Sequence, residues 1–246
     1  MHKLLPLFLV LGFSLQAATI RIATAANLSF VMPELIAKFT KQHPKIHIQT
    51  TISGSGKLAV QILRGAPYDI FLSANTAYAQ KLYALKKGLR EPKVYARGSL
   101  ILLSVKPREL SKGLKILEAS SIKRIAMANP KTAPYGKATL EALQNAHLYP
   151  KIQHKLVYGE SIAQTLNYTI HASDLGFIAK SALYAPELQK FEQNRNWIDV
   201  PENLYTPIEQ GALLLTHAKS NKAAQAFYEY LFSSEAQKIL HKYGYQ

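Results

Sequence analysis

The chain has 246 residues with 12 Gly, 12 Pro, no Cys and 48% hydrophobic residues, a composition that can bury a sizeable core and is neither collagen-like nor disordered. Without Cys there can be no disulfide scaffold, Cys-ligated zinc, iron–sulfur cluster or thiol nucleophile. Thirty Lys plus Arg against fifteen Asp plus Glu leave a net charge of +15, which invites nucleic acid, acidic lipid or a small anion without choosing among them.

The first segment reads as a signal peptide, residues 1–18. Met1-His2-Lys3 is a short basic start, residues 4–15 (LLPLFLVLGFSL) are an apolar run, and Gln16-Ala17-Ala18 offers small residues for cleavage. The run is too short to cross a bilayer, which needs about 20 apolar residues, and it contains Pro6 and Gly12. The mature protein is therefore expected to be exported and soluble.

Short apolar strands then alternate with amphipathic helices. Residues 19–24 (TIRIAT) alternate like a strand, residues 28–42 carry apolar side chains at helical spacing, and residues 46–52 (IHIQTTI) alternate again. Helices are predicted over 57–63 and 76–85, around a short strand of the buried kind at 69–73 (DIFLS). A longer apolar strand at 98–105 (GSLILLSV) opens a second series, with strands at 124–127, 155–158 and 174–179 and helices at 137–146 and 161–169. Residues 208–216 (IEQGALLLT) form another long apolar strand, and residues 222–243 close the chain as two helices meeting near Ser233-Ser234. The pattern predicts an α/β fold of two lobes, each a mostly parallel sheet flanked by helices. The long strands carry the chain across, so that lobe I comprises residues 19–100 and 206–246 and lobe II residues 101–205. A single larger sheet is the alternative.

Four strand-to-helix junctions look alike: Ala25-Ala26-Asn27, Ser53-Gly54-Ser55-Gly56, Ala133-Pro134-Tyr135-Gly136 and Gly159-Glu160-Ser161-Ile162. In open α/β sheets ligands sit beyond the carboxyl ends of the strands, where helix starts point unpaired N–H groups at them. A short Asn or Ser side chain can add a donor there. Taken singly, Asn27, Ser55 and Ser161 read as ordinary N-caps; taken together, in two lobes facing a cleft, they read as an anion site.

Competing motifs fail. Ser53-Gly-Ser-Gly-Lys57 ends like a phosphate-binding loop, but Thr51 stands at the earlier Gly and Leu58 where a magnesium-binding Ser or Thr belongs. His43 and His47 are separated by Pro44 and a strand-like stretch, which forbids a common helical face for zinc. There is no G-x-S-x-G elbow, and the His residues are scattered without a nucleophile partner. The basic residues are dispersed, with Lys86-Lys87-Gly88-Leu89-Arg90 the densest run, so nucleic acid is not an expected partner.

These residues resemble the periplasmic molybdate-binding proteins of ABC importers over essentially the whole mature chain. The resemblance rests on Thr24-Ala25-Ala26-Asn27-Leu28, Gly54-Ser55-Gly56-Lys57-Leu58-Ala59, Ala133-Pro134-Tyr135-Gly136 and Asp174-Leu175-Gly176-Phe177. Its strongest element is the block from Arg64 through Gly65-Ala66-Pro67-Tyr68-Asp69-Ile70-Phe71-Leu72-Ser73 to Ala74. It implies a two-lobed periplasmic-binding-protein fold of type II that closes on molybdate or tungstate without catalysis. The expected partner is the membrane permease of the importer, and the expected state a periplasmic monomer with no cofactor and with molybdenum held only as the oxyanion. By position the resemblance implies ligands at Asn27, Ser55, Tyr135 and Ile162, the last two through backbone N–H groups, with the Ala26 N–H as a further donor. Asn27 stands where the family commonly has Ser, and Ala179 where many members place a Tyr, so one hydroxyl donor is missing and the Tyr135 hydroxyl could replace it or simply pack. A fully deprotonated dianion needs donors only, which neutral groups at helix starts supply without a buried countercharge. Sulfate or another oxyanion is the alternative ligand, and an exported phosphate-ester hydrolase the alternative from a different class.

Overall fold

The computed structural model describes residues 18–246; the expected signal segment lies outside the described residues up to position 17, while Ala18 opens the first strand opposite Ile46. Strand β1 (Ala18–Ala25) runs through a 3-10 turn (Ala26–Leu28) to α1 (Met32–Gln42) and β2 (Ile46–Ser53). Then follow α2 (Ser55–Leu63), β3 (Ile70–Ser73), α3 (Thr76–Ala84), β4 (Lys93–Gly98) and β5 (Leu100–Leu103). The second series is β6 (Ile125–Ala128), α4 (Pro134–Asn145), α5 (Tyr149–Ile152), β7 (Leu156–Gly159), α6 (Ile162–His171) and β8 (Leu175–Ala179). The chain returns through β9 (Trp197–Asp199) to β10 (Ile208–Leu214) and ends in α7 (Lys222–Tyr230) and α8 (Ser234–Lys242).

The strands form two five-stranded sheets, ordered β2-β1-β3-β10-β4 and β7-β6-β8-β5-β9. Each has a parallel trio at one side (β2-β1-β3; β7-β6-β8) and two antiparallel strands at the other (β10-β4; β5-β9). Each sheet is the centre of a lobe with packed cores on both faces. In the first, Ile20, Ile22, Ile70 and Leu72 meet α1, α7 and α8 on one side, while Ala23, Phe71 and Leu213 meet α2 and α3 on the other. Burial on both faces explains why β3, β5 and β8 read as continuous apolar runs rather than alternating ones. The second lobe repeats the plan, with Leu100, Leu102 and Phe177 in one core and Ile101, Leu103 and Ile178 in the other.

Two details depart from the sequence pattern. The helix predicted over 28–42 is shortened, because Pro33 has no N–H to donate and is tolerated only in a first turn, so α1 begins at Met32 and a 3-10 turn precedes it. The apolar run 98–105 divides at Ser99, with Gly98 ending β4 in one sheet and Leu100 beginning β5 in the other. The chain thus crosses between lobes at Ser99 and returns between β9 and β10. Where it crosses, Gly98 is required: a Cβ there would collide with the Tyr135 hydroxyl and with Gln210 Nε2.

Candidate functional site

The carboxyl ends of the parallel strands of both sheets face one another across a small cavity. Ala25, Ala26 and Asn27 line it from the turn after β1, Gly54 and Ser55 from the start of α2, and Ala74 from the end of β3. Across from them stand Ala133, Pro134 and Tyr135 at the start of α4 and Ile162 at the start of α6. The structure therefore brings together Ala26, Asn27, Ser55, Tyr135 and Ile162, which are far apart in sequence. Among the described residues no Lys, Arg, Asp, Glu or His lines this cavity.

The helix starts aim donors at it. Ser55 and Ile162 are the first residues of α2 and α6, so their N–H groups have no partner within the helix. Pro134 occupies the first position of α4 and has no N–H, which makes Tyr135 the first donor of that helix. Ser55 is 1% exposed, and its Oγ accepts the Ala74 N–H at 3.0 Å. That bond uses the oxygen as an acceptor and leaves the hydroxyl proton free to donate.

Asn27 differs from the expectation of a side-chain donor. Its Nδ2 donates to Gln210 Oε1 and to Tyr245 Oη, both at 2.9 Å, and its Oδ1 is buried without a hydrogen-bond partner among the described residues. The orientation of the amide is fixed by its neighbours, since Gln210 Nε2 is itself committed to the Ile208 carbonyl at 3.2 Å. What Asn27 retains for the cavity is its backbone N–H. The Ser29 N–H and hydroxyl both bond the Ala26 carbonyl (3.3 and 2.6 Å), and in a trans peptide this pins the Asn27 N–H to point the opposite way.

The N-cap reading holds for Ser161, whose hydroxyl accepts the Gln164 N–H at 3.2 Å; Gly54 caps α2, and Asn27 lies inside the 3-10 turn. The Tyr135 hydroxyl packs over Gly98 beside Gln210, away from the α4 start. Burial, with Tyr245, Tyr95 and Tyr205 nearby, pushes its pKa well above the ordinary tyrosine value, so it stays neutral. Ala179 is buried at the end of β8 and contributes no polar side chain.

Three residues bonded to Asn27 have no counterpart among the residues that the sequence singles out: Gln210, Tyr245 and Ser181. Gln210 is fully buried, and a register shift between Gln210 and Gly211, where β10 pairs with β4, turns it toward Asn27. A lone Gln inside the apolar run of β10 was the available signal. Tyr245 and Ser181 gave none, since they reach the site through tertiary folding alone. The two lobes touch around the cavity: Gly56 N–H donates to the Thr132 carbonyl (3.1 Å), the Tyr78 hydroxyl to the Lys131 carbonyl (3.3 Å), and the Ser181 hydroxyl to the Asn27 carbonyl (2.9 Å).

Residues 20–246 match the family model of bacterial extracellular solute-binding proteins. The chain is 35% identical to the molybdate-binding protein ModA of Azotobacter vinelandii over 240 residues, covering 96% of this chain and 93% of that one. It is 35% identical to ModA of Rhodobacter capsulatus over 246 residues, covering 97% and 93%. The solved periplasmic molybdate-binding protein of Azotobacter vinelandii superposes with a TM-score of 0.86 at 29% identity, over 92% of this chain and 98% of that one. The sulfate-binding protein SubI of Mycobacterium tuberculosis shares the fold, with a TM-score of 0.76 at 15% identity over 93% and 86%. The two-lobed periplasmic-binding-protein fold and these full-length similarities lead to one conclusion: the chain belongs to the family of bacterial extracellular solute-binding proteins, alongside the molybdate-binding proteins.

Proposed function

We propose that this protein is exported to the periplasm, captures molybdate or tungstate in the interlobe cavity and delivers it to the permease of an ABC importer, acting as a monomer. The lobes in this reading are residues 19–100 with 206–246, and 101–205, except that Leu100 already belongs to β5 of the second sheet. The observation that carries it is the convergence of helix starts from both lobes on a cavity whose lining, among the described residues, is uncharged. Neutral donors at helix starts suit a tetrahedral dianion that accepts hydrogen bonds at every oxygen and offers none. Asn27, Ser55, Tyr135 and Ile162 would bind through backbone N–H groups, Ser55 also through its hydroxyl, with Ala26 N–H as a further donor.

Binding rather than catalysis is supported by the family and by the lining, in which the one ionisable side chain, Tyr135, is turned to Gly98. The similarity to molybdate-binding proteins at 35% identity favours molybdate or tungstate over sulfate. Calorimetric titration of the purified protein with molybdate, tungstate, sulfate and phosphate tests the reading. Tight binding of the first two with weak binding of the others is the expected result. Preference for sulfate would reassign the ligand, and no oxyanion binding would overturn the proposal.

A further inference from the structure

The segment that follows α8 lies across the seam between the lobes. Gln246 and Arg97 exchange backbone hydrogen bonds (2.6 and 2.9 Å) beside the first crossing, and Gln246 Nε2 donates to Glu202 on the returning segment at 3.1 Å. Tyr243 packs against Tyr184 of the second lobe with ring centroids 4.7 Å apart and the rings tilted by 39°. Between these anchors Tyr245 is 3% exposed, and its hydroxyl sits in a hub of four groups. It donates to the Asn27 carbonyl at 2.8 Å, receives Asn27 Nδ2 at 2.9 Å and lies 3.2 Å from Ser181 Oγ, which bonds the same carbonyl.

Asn27 belongs to the first lobe and Ser181 to the 3-10 turn after β8 in the second. We propose that Tyr245 is a positioning residue that couples the anion cavity to lobe closure, holding the Asn27 turn in its donor geometry and joining it to Ser181 when the lobes are together. This rests on the oxyanion-binding reading and adds to it a residue that does not line the cavity. The Asn27 carbonyl has two acceptor sites, filled by one hydroxyl from each lobe. Separating the lobes breaks the Ser181 bond and leaves one acceptor site of the Asn27 carbonyl unfilled, so the hub favours the closed state over the open one. The Ser181 bond, made only when the lobes meet on the carbonyl that Tyr245 holds in place, slows escape of the ligand and has little effect on encounter.

The test is stopped-flow binding of molybdate to the wild-type protein, Tyr245→Phe, Ser181→Ala and the double variant, with the melting temperature of each ligand-free protein measured alongside. Tyr245→Phe keeps the buried ring and removes only the hydroxyl. The expected result is dissociation roughly tenfold faster in each single variant, the value of one buried hydrogen bond, with association changed less than about twofold. The double variant should be less than multiplicative, because both hydroxyls serve one carbonyl. Lower melting temperatures with unchanged dissociation rates would mean a merely structural Tyr245 and would overturn the inference alone. Multiplicative effects would overturn the coupling through Ser181. If Tyr245→Phe does not fold, Ser181→Ala decides by the same rate. Failure of the wild-type protein to bind any oxyanion would instead bring down the reading on which the inference rests.

Discussion

At the scale of single residues, the proposed site separates groups placed to hold an anion from groups that hold those groups. Ser55 lines the cavity with a hydroxyl proton left free by its own hydrogen bonding, because Ala74 N–H occupies its oxygen. Ser55→Ala should weaken molybdate binding by roughly one to two orders of magnitude, since a hydrogen bond to a charged group is worth about 1.5–3 kcal/mol. Titration calorimetry measures this, and a folded Ser55→Ala protein with unchanged affinity would take Ser55 out of the donor set. The sequence brought out the small residues at the helix starts because their chemistry is local: Gly, Ser and Asn after a strand state their use within a few positions. It could not bring out the commitment of Asn27 Nδ2, which is decided by Gln210 and Tyr245, residues separated from it by 183 and 218 positions.

At the scale of elements, the parallel trios of both sheets were legible because alternating strands such as β1 and β2 and buried apolar runs such as β3 and β8 are set apart by turn residues and helices. Strands β4 and β9 were not, for a physical reason. The first is an edge strand whose buried Tyr95 and Ala96 stand among Lys93 and Arg97, and the second has three residues. The approach of α2 to the opposite lobe gives a further expectation. A Cβ on Gly56 would sit 2.9 Å from the Thr132 carbonyl oxygen and 2.9 Å from the Tyr78 hydroxyl, so Gly56→Ala must push the lobes apart. Its affinity for molybdate should fall about tenfold or more, in line with overpacking costs of about 1–3 kcal/mol, and the rise in melting temperature on adding molybdate should shrink with it. The same scale holds a pH-dependent joint. Burial, the largest single influence, pushes the Asp174 carboxyl up, but the N–H groups of Lys123 and Arg124 (2.8 and 3.0 Å) and the Arg108 and Lys106 charges outweigh it and hold its pKa below the ordinary value. A carboxyl with a depressed folded pKa contributes stability above its unfolded pKa and loses it as pH falls through the folded one. Asp174→Asn should therefore lower the denaturation midpoint at pH 7, with the gap to wild type closing below about pH 4. A gap that persists undiminished in acid would mean that the carboxylate charge does not hold the start of β6.

At the scale of the whole molecule, charge and recognition are divided between surface and cavity. Thirty basic residues against fifteen acidic ones give the chain a net charge of +15, while none of those among the described residues lines the cavity. A field spread over the surface draws a dianion from a distance and is screened over about 8–10 Å at physiological salt. Donors enclosed between two lobes are beyond the reach of that screening once the lobes meet. Association of molybdate should consequently slow as an inert salt is raised from low to moderate concentration, whereas dissociation should barely respond. Lys57 is the fair control, since it follows Ser55 and Gly56 in the first turn of α2 yet is exposed to solvent. Lys57→Gln should lower the association rate slightly and leave the dissociation rate as it was. Stopped-flow rates across the salt series measure both, and a dissociation rate that climbs steeply with salt, or a near-complete loss of binding in Lys57→Gln, would show that a cation rather than the helix-start donors holds the anion.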